Sequence, residues 1–142
     1  MATVRQLLDE KGTAVFSVGP EAQVREALQL MSDHHVGALL VMNGDAVVGI
    51  LSERDYARKV ILLGRASNST PVSQIMSSPV HTVSPSQTVD DCMRLMTEQR
   101  VRHLPVVEQG HVVGVISIGD LVKAVIEDQQ VQLDQLQRYI AS

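Results

Sequence analysis

Two heptapeptides of one design stand 65 residues apart, Gly49-Ile50-Leu51-Ser52-Glu53-Arg54-Asp55 and Gly114-Val115-Ile116-Ser117-Ile118-Gly119-Asp120. Each closes an apolar run with a serine and sets an aspartate three residues further on. That spacing has two chemical uses. In one, the serine caps a helix: its hydroxyl accepts from a free backbone N–H, and the carboxylate accepts from the N–H of the serine itself. In the other, the unpaired N–H groups of a helix start and the serine hydroxyl hold a phosphate. The carboxylate one turn along then accepts from both hydroxyls of a ribose. A nucleoside monophosphate presents that pair of groups. On a single copy the cap is the simpler explanation.

Other reactive side chains suggest less. His34 and His35 are adjacent, but no carboxylate or further histidine is placed to complete a metal shell, so an exposed helix-end pair is expected. His81, His103 and His111 fall on different elements and no metal site is expected from them. Cys92 is the sole cysteine, which excludes an intramolecular disulfide and a cysteine-rich metal site. It lies on an apolar stripe with no base implied beside it, as a core residue would. Met31, Met76, Met93 and Met96 also read as core filling. No Walker A sequence and no Gly-x-Gly-x-x-Gly occurs, and no general base or metal constellation marks an enzyme.

The elements that carry the two motifs come from a duplication. Shifting the chain by 65 residues aligns residues 16–55 with 81–120 without a gap, matching Val18 to Val83, Pro20 to Pro85, Met31 to Met96 and Val47-Val48-Gly49 to Val112-Val113-Gly114. A weaker echo at a shift of 68 relates Val4-Arg5-Gln6-Leu7-Leu8 to Val72-Ser73-Gln74-Ile75-Met76. Within one copy, Ala14 to Val18 predicts a strand and Pro20-Glu21 the start of a helix. Val24, Ala27, Leu28 and Met31 form its buried stripe. Ala38 to Met42 and Ala46 to Leu51 predict a hairpin turning at Asn43-Gly44. A second helix follows from Ser52 through Tyr56, Val60 and Ile61. The second copy repeats this order and ends with Leu121, Val122, Val125 and Ile126. The expected division is residues 1–66 and 72–127 for the two units, a polar linker at 67–71, and a helical extension at 128–142. In that extension Leu133, Leu136 and Ile140 recur at helical spacing, as in a continuation of the last helix that covers a partner subunit or, equally, in a frayed surface helix.

Composition narrows the function. The 142 residues are 44% hydrophobic and 20% charged, with a net charge of −4. That balance argues against the basic footprint of a nucleic-acid binder, as does the near absence of aromatic residues. No apolar run approaches the roughly 20 residues that cross a bilayer, and the start lacks the apolar core of a secretory signal. The expected setting is the cytoplasm.

The doubled unit, the motif in each half, and Arg102-His103-Leu104-Pro105-Val106-Val107 together resemble cystathionine-β-synthase (CBS) domains, from about Val4 to Ile126. The form is similar to small stand-alone bacterial proteins made of one CBS pair. The resemblance implies an α/β fold of two β-α-β-β-α units about a pseudo-twofold axis. It also implies two clefts for adenosine ligands such as AMP (foremost), ATP, NAD(H) or S-adenosylmethionine, and pairing into a flat homodimer. No resident cofactor, metal or catalytic residue is implied. In one cleft Asp55 would hold ribose and Ser52 and Arg54 phosphate, with Thr82, Val83, Val101, Arg102 and His103 lining the base and phosphate region. In the other, Ser117 and Asp120 would act with Ser17, Val18, Val36, Gly37 and Ala38. Arg54, Arg102 and His103 correspond to Gly119, Gly37 and Ala38, so the first cleft is expected to bind a phosphorylated ligand more tightly. The implied function is a nucleotide sensor that signals to an unidentified effector protein. The alternative is a constitutive interaction scaffold with empty clefts.

Overall fold

The computed structural model of the chain, describing residues 2–141, divides into two units of mixed α/β structure. One spans Val15–His81 and holds the first copy of the motif; the other joins residues up to 14 to those from 82 onward and holds the second.

In the first-copy unit, β1 (Ser17–Val18) runs parallel to β2 (Ala38–Asn43), which pairs antiparallel with β3 (Ala46–Ser52). The helix α2 (Val24–His34) packs Val24, Ala27 and Met31 into a core with Leu39, Val41, Leu51, Val60, Val72 and Ile75. The chain leaves β3 into α3 (Glu53–Tyr56), which widens into a π turn over Ala57–Ile61. In the second-copy unit, α1 (Val4–Lys11) comes from the start of the chain. It is joined by α4 (Val89–Gln99), the hairpin of β4 (His103–Glu108) and β5 (His111–Ser117), and the long α5 (Ile118–Ala141). Val83 bridges Val106 in parallel, where the first copy has β1. The core joins Val4, Leu7 and Leu8 to Val89, Cys92, Met96, Leu104, Val106, Ile116 and Leu121.

The units in space therefore differ from the repeat along the chain. Residues 2–11 and 70–76, the pair related by the weaker echo, each pack into the unit of the other copy. Leu8 covers Gly114 and Met76 covers Gly49; a Cβ added at those glycines would lie 2.6 Å from Leu8 Cδ2 and 2.5 Å from Met76 Sδ. The strands that deliver the two serines thus carry glycine because a side chain occupies the space above it.

Three sequence expectations change. The first helix begins at Val24, not at Pro20-Glu21, because the carbonyls of Pro20 and Ala22 accept from the N–H groups of Ser73 and Val72 instead of serving a helical turn. The hairpin turns at Gly44-Asp45, with Gly44 at φ 62° and Asn43 still paired in the strand. The stretch read as a linker is tied down. Ser67 and Thr70 offer their carbonyls to the N–H groups of Arg25 and Val24, so they cap a helix whose N-cap, Gln23, makes no side-chain cap bond. Thr70 is buried.

Among the described residues no helix is long and apolar enough to cross a membrane.

Candidate functional site

Both serines sit where a strand turns into a helix, and both make the reciprocal cap. Ser52 Oγ accepts from the Asp55 N–H at 3.2 Å, and Asp55 Oδ2 accepts from the Ser52 N–H at 3.0 Å and its hydroxyl at 3.1 Å. Ser117 Oγ accepts from the Asp120 N–H at 3.2 Å, while Asp120 Oδ2 accepts from the Ser117 N–H at 2.8 Å. The residue just before the neighbouring strand completes each helix start: the Gly37 carbonyl accepts from the Glu53 N–H and the Arg102 carbonyl from the Ile118 N–H.

The remaining lone pairs of the two carboxylates are used differently. Asp55 is buried; its Oδ1 takes the Ser77 hydroxyl at 3.0 Å and the Lys59 ammonium at 3.2 Å. Asp120 is about a quarter exposed, and its Oδ2 also takes the Lys11 ammonium at 2.6 Å, with Lys11 bonded as well to the Val115 carbonyl. Burial opposes ionisation of Asp120, but the Lys11 ammonium and the Ser117 N–H outweigh it and hold the carboxyl below the usual carboxylate range. Burial pushes the His103 imidazole below its ordinary value, Lys11 and Arg102 add to that, and Asp120 opposes it.

Within each unit the sheet register sets one predicted residue directly across from the serine of the unit's own motif. Ala38 pairs with Ser52, and Ser17 and Val18 pair with Leu40 and Val41, so Ser17, Val18, Val36, Gly37 and Ala38 share the first-copy unit with Ser52, Arg54 and Asp55. His103 pairs with Ser117, and Thr82, Val83, Val101, Arg102 and His103 share the second-copy unit with Ser117 and Asp120. Arg102 and His103 share the unit of Ser117 and Asp120, and Lys11 joins that unit because α1 folds back onto β5. Sequence reasoning missed Lys11, Lys59 and Ser77. Lys59 carried a legible signal, lying one helical turn after Asp55. Lys11 and Ser77 reach the carboxylates only through tertiary packing.

The other candidates have structural places. His34 and His35 are both exposed at the end of α2; His34 stacks on Phe16 with ring centroids 4.0 Å apart, and His35 takes the left-handed cap conformation at φ 55°. No group of three or more metal-binding side chains occurs among the described residues. Cys92 is buried, and burial with the adjacent Asp91 pushes its thiol to about 11, far from a reactive thiolate.

The CBS domain model matches residues 4–61 and again 72–127. A protein with CBS domains from Burkholderia ambifaria is 51% identical, with a TM-score of 0.87 over 90% of this chain and 96% of its own. The CBS domain-containing protein CBSX3, mitochondrial, of Arabidopsis thaliana is 43% identical over 122 residues, 82% of this chain; the match spans only 59% of that plant protein. The CBS domain protein PAE2072 of Pyrobaculum aerophilum, solved in complex with AMP, is 28% identical with a TM-score of 0.74, covering 83% of this chain and 88% of that one.

Proposed function

We propose that this chain, which belongs to the CBS domain family, is a non-catalytic regulatory module that binds an adenosine nucleotide, AMP foremost, and passes the change to a partner protein. The observation that carries this reading is the recurrence of one pair of groups, Ser52 with Asp55 and Ser117 with Asp120, at a strand-to-helix junction in each unit. The AMP complex of the Pyrobaculum relative supports the choice of ligand.

The chemistry follows from the caps. An ionised carboxylate has about four acceptor sites, so Asp55 and Asp120 can keep the serine N–H and still take a ribose hydroxyl. Each serine hydroxyl, released from capping, turns to a phosphate oxygen. Arg54, Arg102, His103 and the ammonium of Lys11 supply further donors to phosphate. Val18, Val36 and Ala38 in one unit and Val101 in the other offer apolar surface for a base, with Ser17, Gly37 and Thr82 beside them; Val83 is buried in the core and can present only its backbone. Arginine contacts to phosphate are roughly twice as strong as neutral hydrogen bonds, which favours a phosphorylated ligand over a bare nucleoside.

A second reading has its own observation. Both motifs are complete reciprocal caps without any ligand, as an interaction scaffold with unused sites requires. Thermal unfolding in the presence of AMP, ADP, ATP, NAD+, NADH or S-adenosylmethionine separates the two. A ligand at a hundredfold excess over Kd stabilises the chain by about 2.7 kcal/mol. Asp55→Ala and Asp120→Ala should each remove part of that gain, beyond the roughly 1 kcal/mol that loss of a cap costs without ligand. No response to any nucleotide, together with no small molecule released from the purified protein, would leave the scaffold reading. Turnover of a bound nucleotide would reinstate an enzyme.

A further inference from the structure

One cation reaches a motif carboxylate from a separate helix. Lys11, the last residue of α1, places its ammonium 2.6 Å from Asp120 Oδ2 and also donates to the Val115 carbonyl at 2.8 Å. The same Oδ2 accepts from the Ser117 N–H at 2.8 Å. A carboxylate oxygen has two lone pairs, so this one is full. A ribose diol that uses both oxygens of the carboxylate therefore has to displace a donor from Oδ2.

The two donors differ in how readily they leave. The Ser117 N–H is fixed in the backbone at the start of α5. The ammonium of Lys11 rides on a flexible four-carbon stem, and 36% of that side chain is exposed. Lys11 and Asp120 also share a small cavity of about 70 Å³ with Leu7, Glu10, Ala124 and Glu127, so the side chain has room to move. Lys59, the cation at Asp55, stands instead one turn along the same stretch of chain and donates to the Ile75 carbonyl.

The cost of displacing Lys11 depends on what the ligand brings. A ligand with a phosphate at the Ser117 hydroxyl carries an anion to the same helix start, and the ammonium passes from one oxygen anion to another. A nucleoside brings the ribose without the anion, so Lys11 loses its ion pair and gains no partner. Specificity is the difference between those two outcomes. We infer that Lys11 is a specificity-determining residue of the second-copy motif, covering Asp120 against unphosphorylated nucleosides and drawn away by the phosphate of a nucleotide. This rests on the nucleotide-binding reading above and narrows the ligand class of its second motif to nucleoside phosphates.

The test compares AMP with adenosine on the full chain, in the wild type, Lys11→Met and Lys11→Arg. The imidazole signals of His103, which feels the charges of both Lys11 and Asp120, are followed by NMR during each titration, so the affinity read is that of this motif. In Lys11→Met adenosine should bind about two- to fivefold more tightly, since no exposed ion pair has to be broken. AMP should bind about tenfold less tightly, since a charge-assisted contact to phosphate is lost. A lysine that merely supported the fold would not move the two ligands in opposite directions. Lys11→Arg keeps the charge and should keep most of the preference for AMP. Both ligands weakening together in Lys11→Met, or adenosine binding no better than to the wild type, would overturn the inference and leave the nucleotide reading intact. A preference lost as fully in Lys11→Arg would overturn it too, because charge would not be its cause. Wild-type His103 signals unmoved by AMP would do the same, and a missing thermal shift with AMP would show that the nucleotide reading itself had failed.

Discussion

Lys11 connects two titrating groups of the second-copy unit, since it holds Asp120 at 2.6 Å and bears on His103. Its removal therefore predicts two movements of the same sign. In Lys11→Met the carboxyl of Asp120 loses its strongest lowering partner, so its pKa should rise towards or above 3.8, the value from which it is depressed. The imidazole of His103 loses a neighbouring positive charge, so its pKa should rise too, by less, because burial is the larger cause. Carboxyl and imidazole titrations by NMR read both; unchanged values would show that the contact does not persist in solution. The consequence for stability has a fixed direction. Both pKa values are lowered by folding, so both groups contribute stability that is present at high pH and lost as pH falls. For His103 the loss begins below about 6.5 and for Asp120 below about 3.8. Urea unfolding of His103→Gln should accordingly show a weaker decline in stability below pH 6.5 than the wild type; an equal decline would assign it to other groups.

The strand-to-helix junctions show which parts of the fold are legible in the sequence. Gly49 and Gly114 announce themselves as a matched pair, yet their reason lies in Met76 and Leu8, residues far along the chain. Adding a methyl group at either glycine forces those side chains aside. At Gly114 the added carbon meets chiefly the terminal Cδ atoms of Leu8, while at Gly49 it also meets Cγ and Cβ of Met76 at 2.8 and 3.1 Å, so the flexible end of the methionine does not relieve that clash. Gly114→Ala and Gly49→Ala should each destabilise by about 2 kcal/mol, within the range for overpacked cores. Leu8→Ala added to Gly114→Ala should recover part of the loss if the clash is the cause, whereas simple addition of the two penalties would point to another origin. The two helix ends at His35 and Arg100 make the complementary case. Both adopt left-handed backbone at φ 55° and 56°, and the N–H of the next residue returns to Met31 and Met96. The repeat is exact in geometry there although the residues differ, so identity alone could not find it. Apolar periodicity fixes the helix faces and strand pairs; the start of α2 and the role of residues 67–70 depend on long-range backbone bonds that leave no local pattern.

At the scale of the whole chain, the two units are each completed by a segment from the other end of the repeat. The Ser-x-x-Asp motifs, the cores and the hairpins follow sequence order, but α1 does not. It buries Val4, Leu7 and Leu8 among residues of the second copy, and Ala2 accepts from the Val89 N–H at the start of α4. Three such side chains, at roughly 1.5–3 kcal/mol each, amount to a large share of the 5–15 kcal/mol that holds a small domain folded. A chain lacking residues 1–12 would also lose Lys11 from Asp120. If sequence order governed stability, that deletion would weaken residues 15–81, which it adjoins. The packing predicts the reverse. Hydrogen exchange followed by mass spectrometry should show amide protection falling in β4, β5 and α4, while β2, β3 and α2 keep theirs. Protection lost first from residues 15–81 would mean that α1 is not part of the second-copy core in solution. Leu7→Ala should give the same regional pattern at a cost of about 2–4 kcal/mol, because it removes one buried side chain and leaves the backbone bonds of α1 in place.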